Sequence, residues 1–311
     1  MKTVSVVMCT YNGAKYLREQ LDSIISQTYP IYELIIQDDC STDDTVAIVK
    51  EYMEKYSFIK LYINEHNLGF NLNFKSACMK ATGDYVAISD QDDVWFPAKI
   101  EKQVESIGNC NICCSSFTRG ETISDAEVTS QDVNFERLLF FNPVSGHTML
   151  CQRCFIQDES NWIKSIWYDW SLALQASLKN GIAKVEQPLN WHRRHLNEAS
   201  RLENHQKMLK YQPYIMGLKK YRELQKNGNR RFIYTYLYNH TKDERFHLVH
   251  QFCKLLLKED FFSLINLCLL CQKNRDAIYF YKTKGIMGWI RGFFFPLFHA
   301  CTPTQLYNDF S

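Results

Sequence analysis

The apolar run Tyr85-Val86-Ala87-Ile88 leads directly into Ser89-Asp90-Gln91-Asp92-Asp93-Val94-Trp95. A short apolar run bounded by polar residues reads as a buried strand. Three carboxylates in four positions at the end of such a strand repel one another where water is scarce, so a cation belongs beside them. Oxygen ligands of this kind suit Mg²⁺ or Mn²⁺, ions that in turn hold phosphates. Taken alone, the cluster reads more readily as a solvated acidic turn. Its meaning depends on the residues that precede it.

Those residues alternate between two periodicities. Val4-Ser5-Val6-Val7-Met8 is a β-branched run that stops at Thr10-Tyr11-Asn12-Gly13, a turn with helix-start chemistry. Leu17, Leu21, Ile24 and Ile25 then share one helical face, and Glu33-Leu34-Ile35-Ile36 is a second strand ending at Gln37-Asp38-Asp39. Ser41-Thr42-Asp43-Asp44 reads as the cap of a further helix, Ile59 to Ile63 as a third strand, and Phe70, Phe74, Ala77 and Ala81 as a third helical face. The strand that feeds Asp90 is the fourth. Such alternation predicts an α/β fold with a mainly parallel sheet flanked by helices. Sheets of this type bind ligands beyond the carboxyl ends of their strands, at a topological switch point. Thr10-Tyr11-Asn12, Asp38-Asp39 and Asp90-Gln91-Asp92 all fall at such ends, which describes a nucleotide site with a metal.

Neither a GxxxxGK[ST] loop nor a GxGxxG turn follows the first strand, so the nucleotide is gripped by carboxylates rather than cradled by glycines. An ionised Asp accepts hydrogen bonds only. Against a nucleobase it selects the imide N–H of uracil or thymine and rejects cytosine. Asp39 is the candidate for that contact; its plainer use is a turn and helix cap.

A formal charge of +2 over 311 residues gives no global reason to expect nucleic acid. No apolar run is long enough for a transmembrane helix, and Met1-Lys2-Thr3-Val4 enters a strand without a signal peptide. Twelve cysteines without such a signal suggest a reducing, cytoplasmic setting and free thiols. Of three CxxC spacings, Cys110/Cys113, Cys151/Cys154 and Cys268/Cys271, the first two could form a four-thiolate zinc site. However, Cys113-Cys114 reads as strand and Cys268 to Cys271 as apolar helix, where cysteine acts as a small hydrophobe.

With these residues in view, a family resemblance is specific. Val4 to Gly13, Gln37 to Thr45 and Ser89 to Trp95 resemble the successive motifs of family 2 inverting glycosyltransferases, over about residues 3 to 200. The resemblance implies the GT-A fold, a Rossmann-like sheet. It also implies a UDP- or dTDP-sugar donor, a Mg²⁺ or Mn²⁺ ion, and transfer to a hydroxyl with inversion. Thr10, Tyr11 and Asn12 would then line the nucleotide and Asp39 would meet its base. Asp92 would ligate the metal, with Asp90 at the ribose or behind the ligands. Val144 to Leu150 resembles the small-residue loop near the donor sugar, where Gly146, His147 and Thr148 join Asp93; His147 stands where the family has cysteine. Asp169, within Trp167-Tyr168-Asp169-Trp170, matches the family's catalytic base, its plainer reading being a helix cap. Trp191-His192-Arg193-Arg194-His195 is similar to the family's Tyr-Arg-x-His element, with His192 in place of tyrosine. It implies Arg193 at the diphosphate and His195 as a further metal ligand; a basic surface turn is the alternative.

The expected division is a catalytic domain over residues 1–203 and a helical C-terminal extension over 204–311. In the extension, Trp289, Phe293, Phe294, Phe295 and Phe298 combine with Lys282, Lys284 and Arg291, a mix suited either to a membrane interface or to packing on protein. The resemblance points to a growing, lipid-linked bacterial surface polysaccharide of capsule or O-antigen type as acceptor, with rhamnosyltransferase members most alike, and to contact with the inner face of the plasma membrane. Two readings from other classes stand beside it. A sugar nucleotidyltransferase would want a glycine-rich phosphate loop that is missing after the first strand, and a catalytically silent nucleotide-sugar- or polysaccharide-binding subunit would have no need of the full carboxylate set.

Overall fold

Val4–Thr10 (β1), Glu33–Asp38 (β2), Ile59–Ile63 (β3) and Tyr85–Ser89 (β4) pair in parallel in the order β3-β2-β1-β4. They belong to a computed structural model that describes residues 1–130, 132–195, 212–278 and 285–301. β1 and β2 are almost wholly buried, as strands covered on both faces must be. Val4, Val6 and Met8 pack with Leu17, Leu21 and Ile24 of the helix Ala14–Ile25, and with Ile48 and Val49 of the helix Thr45–Lys55. The helix Phe70–Cys78 packs on β1 and β2 through Phe74, Ala77 and Cys78.

The remaining strands are Val94–Trp95 (β5), Ile112–Gly120 (β6), Glu127–Thr129 (β7), Leu150–Gln152 (β8) and Ile182–Arg193 (β9). The sheet runs β3-β2-β1-β4-β8-β6-β9-β5, with β7 beside β6. Parallel pairing continues only between β6 and β9; β8 is antiparallel to β4 and β6, and β5 to β9. The sheet is therefore mixed.

A buried carboxylate ties three strands together below the site. Glu33 accepts hydrogen bonds from Ser5 Oγ, Lys60 Nζ, Thr82 N and Thr82 Oγ1, each at 2.7 Å. Burial pushes its carboxyl up, but Lys60, Ser5 and Thr82 outweigh burial and hold it at about 2. A depressed carboxylate stabilises the fold fully above the ordinary glutamate range and loses that contribution as pH falls through its folded value. With Lys60 half exposed, we expect a loss of about 1–2 kcal/mol between about pH 4.5 and 2. Urea unfolding across that window measures it; Glu33→Gln should flatten the pH dependence, and an equally steep variant would rule this source out.

Two compact units divide the described residues, one holding 1–133 and 143–195, the other 134–142 and the helices from Gln212 onward. The boundary expected at residue 203 lies outside the described residues. In the second unit Phe140 meets Phe252 and Phe295 edge-on at 5.6 and 4.9 Å, and Leu237, Val249, Leu267 and Cys271 are buried. The aromatic tail divides accordingly. Phe295 is buried against Phe140 and Phe141, Phe293, Phe294 and Phe298 are half-buried, and Trp289 stays 55% exposed. Lys282 and Lys284 lie outside the described residues. No described helix is long and apolar enough to cross a membrane.

Candidate active site

The carboxyl ends of β1, β2 and β4 hold one another through side chains. Thr10 Oγ1 donates to Asp38 Oδ1 at 2.8 Å, and Asp38 also accepts from Ser41 N and Oγ at 2.8 and 2.6 Å. Asn12 adopts φ +48°, a conformation that asparagine tolerates well, and its Oδ1 accepts from Thr42 N at 2.8 Å. Thr10 and Asn12 thus spend their side chains on loop geometry, while Tyr11 projects outward, 51% exposed. Sequence reasoning missed Gln91, which clamps the Tyr11 backbone: Oε1 accepts from Tyr11 N at 3.0 Å and Nε2 donates to Tyr11 O at 3.1 Å. Gly13 permits this, because a Cβ there would sit 2.0 Å from Gln91 Oε1. The helix Thr45–Lys55 takes its cap from Asp43, whose Oδ1 accepts from Thr45 N at 3.0 Å, rather than from Asp44.

Asp39 is buried and accepts from Asn64 Nδ2 and Leu68 N at 2.7 Å and from Gly69 N at 2.9 Å. A carboxylate offers about four acceptor positions. Three are used by the loop 64–69, which leaves one for an incoming N–H.

The acidic motif splits in two. Asp92 Oδ2 lies 2.7 Å from His195 Nε2, and Asp92 O accepts from Arg193 Nε at 3.1 Å. Arg193 also pairs with Glu19 and stacks over the rings of Tyr16 and Trp191 at 4.6 and 4.2 Å. Its guanidinium is therefore held between Asp92 and Glu19. Asp93 turns inward and is fully buried. Its Oδ1 lies 3.1 Å from His192 Nδ1, and its Oδ2 lies 3.2 Å from both His147 Nδ1 and Asn190 Nδ2. The two imidazoles stack at 4.8 Å, and ligand atoms of Asp93, His147 and His192 all lie within 4.8 Å of one another. Burial pushes His147 well below the ordinary histidine range. Burial together with Asp93 and Asp92 holds the Asp90 carboxyl well above the usual range. Beneath lies Lys99, fully buried over the Trp95 ring at 5.0 Å, its Nζ without a hydrogen-bond partner and pushed down to about 8 by burial. No periodicity marks Lys99 or Asn190; both read as ordinary polar positions.

Asp169 enters from the other half of the sheet. It lies in the first turn of the helix Tyr168–Leu178, whose N-cap is Trp167, and its Oδ2 accepts from Gly146 N at 3.2 Å. The turn it holds, 146–148, leads into β8, and Met149 O accepts from Ile88 N of β4 at 3.1 Å, which puts Asp169 near the end of β4 that carries Asp90. The Tyr168 hydroxyl occupies the place a Cβ on Gly146 would take, 2.0 Å away, and the Tyr168 ring stacks on Phe74 at 4.6 Å. Thr148 is buried with its hydroxyl on Ser145 O, so it shapes the loop rather than facing the site. Because Tyr168 cannot retreat, Gly146→Ala should cost about 1–3 kcal/mol in urea unfolding and displace Asp169. Unchanged stability would show that the ring yields. Cys113, Cys114 and Cys151 are buried, with thiols pushed up by burial, and among the described residues no cysteine joins a metal-sized cluster.

A mixed sheet with carboxylates gathered at its strand ends is the architecture of the GT-A glycosyltransferases. S. aureus TarS residues 1–349, in complex with UDP-GlcNAc, aligns with a TM-score of 0.61 at 18% identity, covering 89% of this chain and 81% of that one. A mannosyltransferase of Pyrobaculum calidifontis, in complex with GDP-Man and Mn²⁺, aligns at 0.52 and 15% identity, covering 96% and 86%. The pattern of Glycosyl transferase family 2 matches residues 5–160, and the chain belongs to that family. An uncharacterized glycosyltransferase of Haemophilus influenzae is 31% identical over 227 residues, 65% of this chain and 69% of that protein. The Bacillus subtilis glycosyltransferase TuaG, named for teichuronic acid biosynthesis, is 38% identical over 115 residues, 37% of this chain and 45% of its own length.

Proposed function

We propose that this glycosyltransferase moves a sugar, with inversion, from a UDP- or dTDP-sugar to a hydroxyl of a growing, lipid-linked bacterial surface polysaccharide, and that it requires Mg²⁺ or Mn²⁺. The observation that carries the reading is the gathering of Asp39, Asp92 with His195, and Asp169, through Gly146, near the carboxyl ends of β1, β2 and β4. Oxygen donors with a single imidazole fit a hard divalent ion, and Asp92 and His195 would hold it. When bound, such an ion supplies positive charge to the departing diphosphate. The vacant acceptor position of Asp39 suits the imide N–H of uracil or thymine, and an acceptor-only base edge would be refused. Asp169 takes the proton of the acceptor hydroxyl, which without it is a poor nucleophile. A single displacement needs only this base and an activated leaving group, whereas retention calls for a second, nucleophilic carboxylate. Arg193, released from Glu19, adds charge at the leaving phosphates.

The surface-polysaccharide acceptor rests on relatives such as TuaG, whose name concerns teichuronic acid, and the rhamnosyl donor on motif likeness. Calorimetric binding of UDP, dTDP, GDP and CDP, each with Mn²⁺ and with EDTA, tests the site. Metal-dependent binding of UDP or dTDP is expected. No binding of any nucleotide by folded protein would favour a silent polysaccharide-binding role.

A further inference from the structure

The formal charge of +2 conceals a division. Described residues of the first unit carry 17 Lys and Arg against 24 Asp and Glu; those of the second carry 14 against 7. Over the described residues one unit is therefore at −7 and the other at +7, an asymmetry typical of a chain with an anionic partner for one part. In the second unit the positive charge includes a groove of about 500 Å³ between the helices His247–Leu256 and Phe261–Lys273. Lys254, Lys258 and Lys273 line it, over an aliphatic floor of Leu255, Leu269 and Leu270. None of the three lysines forms an ion pair with a described carboxylate. The two acids nearest in sequence are turned to other uses: Glu259 pairs with Arg231 at 2.6 Å, and Asp260 caps its helix by accepting from Ser263 N at 2.9 Å.

Large apolar side chains stand exposed on the same unit. Phe261, Phe262 and Leu269 lie on one helix, 62, 78 and 48% exposed. Ile286, Met287 and Trp289 lie on the helix Gly285–Phe293, each more than half exposed. The two helices are neighbours, since Gln272 Nε2 donates to Trp289 O at 3.4 Å and Gly292 leaves room against Gln272 and Arg275. Exposed apolar groups in such density mark a binding surface. A soluble polyanion would use the lysines and leave the aromatic and aliphatic groups in water. A bilayer takes both, phosphates on the ammonium groups and apolar side chains below the headgroups.

We propose that the C-terminal helical unit docks this chain on an anionic phospholipid surface, with the groove of Lys254, Lys258 and Lys273 taking lipid phosphates and Ile286, Met287 and Trp289 entering the interface. This deepens the lipid-linked acceptor in the reading above. Its readout is binding alone, however, so it stands or falls separately from catalysis by Asp169. The test is sedimentation of the full chain with phosphatidylcholine vesicles, with and without phosphatidylglycerol. Binding to the anionic vesicles only, weakened by salt, is expected. Lys254→Glu with Lys258→Glu and Lys273→Glu should weaken it about tenfold or more, with circular dichroism confirming the fold. Trp289→Ser with Ile286→Ser should weaken it through the apolar part while preserving its salt dependence. Equal binding to both vesicle types would overturn the proposal, as would a charge-reversed protein that binds undiminished. Retention on heparin without vesicle binding would assign the groove to a soluble polyanion and overturn it too.

Discussion

Replacing Asp169 by asparagine should lower kcat by about 10²–10⁴-fold while leaving nucleoside diphosphate affinity nearly unchanged. The amide keeps the volume of the carboxylate and an oxygen that accepts from Gly146 N, so the loop 146–148 stays in place. What is lost is the ability to receive a proton. Asp169 Oδ1 also accepts from Trp170 N at 2.7 Å in the first turn of its helix, so the amide gives up one of two backbone contacts and a helix-dipole contribution of about 0.3–1 kcal/mol, too little to unfold the protein. Turnover measured by nucleoside diphosphate release, alongside calorimetric binding, separates the two roles. Full turnover in the folded variant would remove Asp169 from the chemistry; loss of binding and turnover together would make it a structural residue.

Asp92→Ala should abolish metal-dependent nucleotide binding, a loss of about 10²-fold or more, given that even residues behind metal ligands cost 10–100-fold. Asp92 lies beside His195 at 2.7 Å, and both side chains are partly open to solvent. Asp93 is the control. It is fully buried against His147, His192 and Asn190, so Asp93→Asn should chiefly destabilise the fold, by about 1–3 kcal/mol for disturbing a buried polar group. Mn²⁺ titrations of both variants decide between the carboxylates. If Asp93→Asn abolishes metal-dependent binding and Asp92→Ala does not, the ion belongs to the Asp93, His147 and His192 cluster.

Much of this arrangement is legible one residue at a time. Apolar, β-branched runs and helical faces located β1 to β4 and their helices, and the polar clusters at Thr10, Asp38 and Asp90 followed because strand ends follow from strands. Other assignments needed neighbours that sequence distance hides. His147 and His192 looked like two unrelated departures from a family pattern, yet they stack on one carboxylate. Gln91 is the unremarkable residue of its motif until Gly13 lets it reach the Tyr11 backbone. Arg193 was expected at a diphosphate, and in this structure Glu19, from the first helix, holds it. The tail aromatics read as one apolar group, but Phe140 and Phe141 claim Phe295 and leave Trp289 outside.

Sequence by itself determined the alternation of strand and helix, the family, and which carboxylates stand at strand ends. These depend on periodicity, capping and turn chemistry acting over a few residues. Only the tertiary structure decided which acid meets which base. β9 lies beside β5 and β6 at once, and that placement brings Asn190, His192, Arg193 and His195 to Asp92 and Asp93 across about a hundred positions. It likewise decided which apolar residues are covered. Pairing and burial between distant segments follow from how the whole sheet closes and the helices stack, and that information is spread over the chain rather than written at any one position.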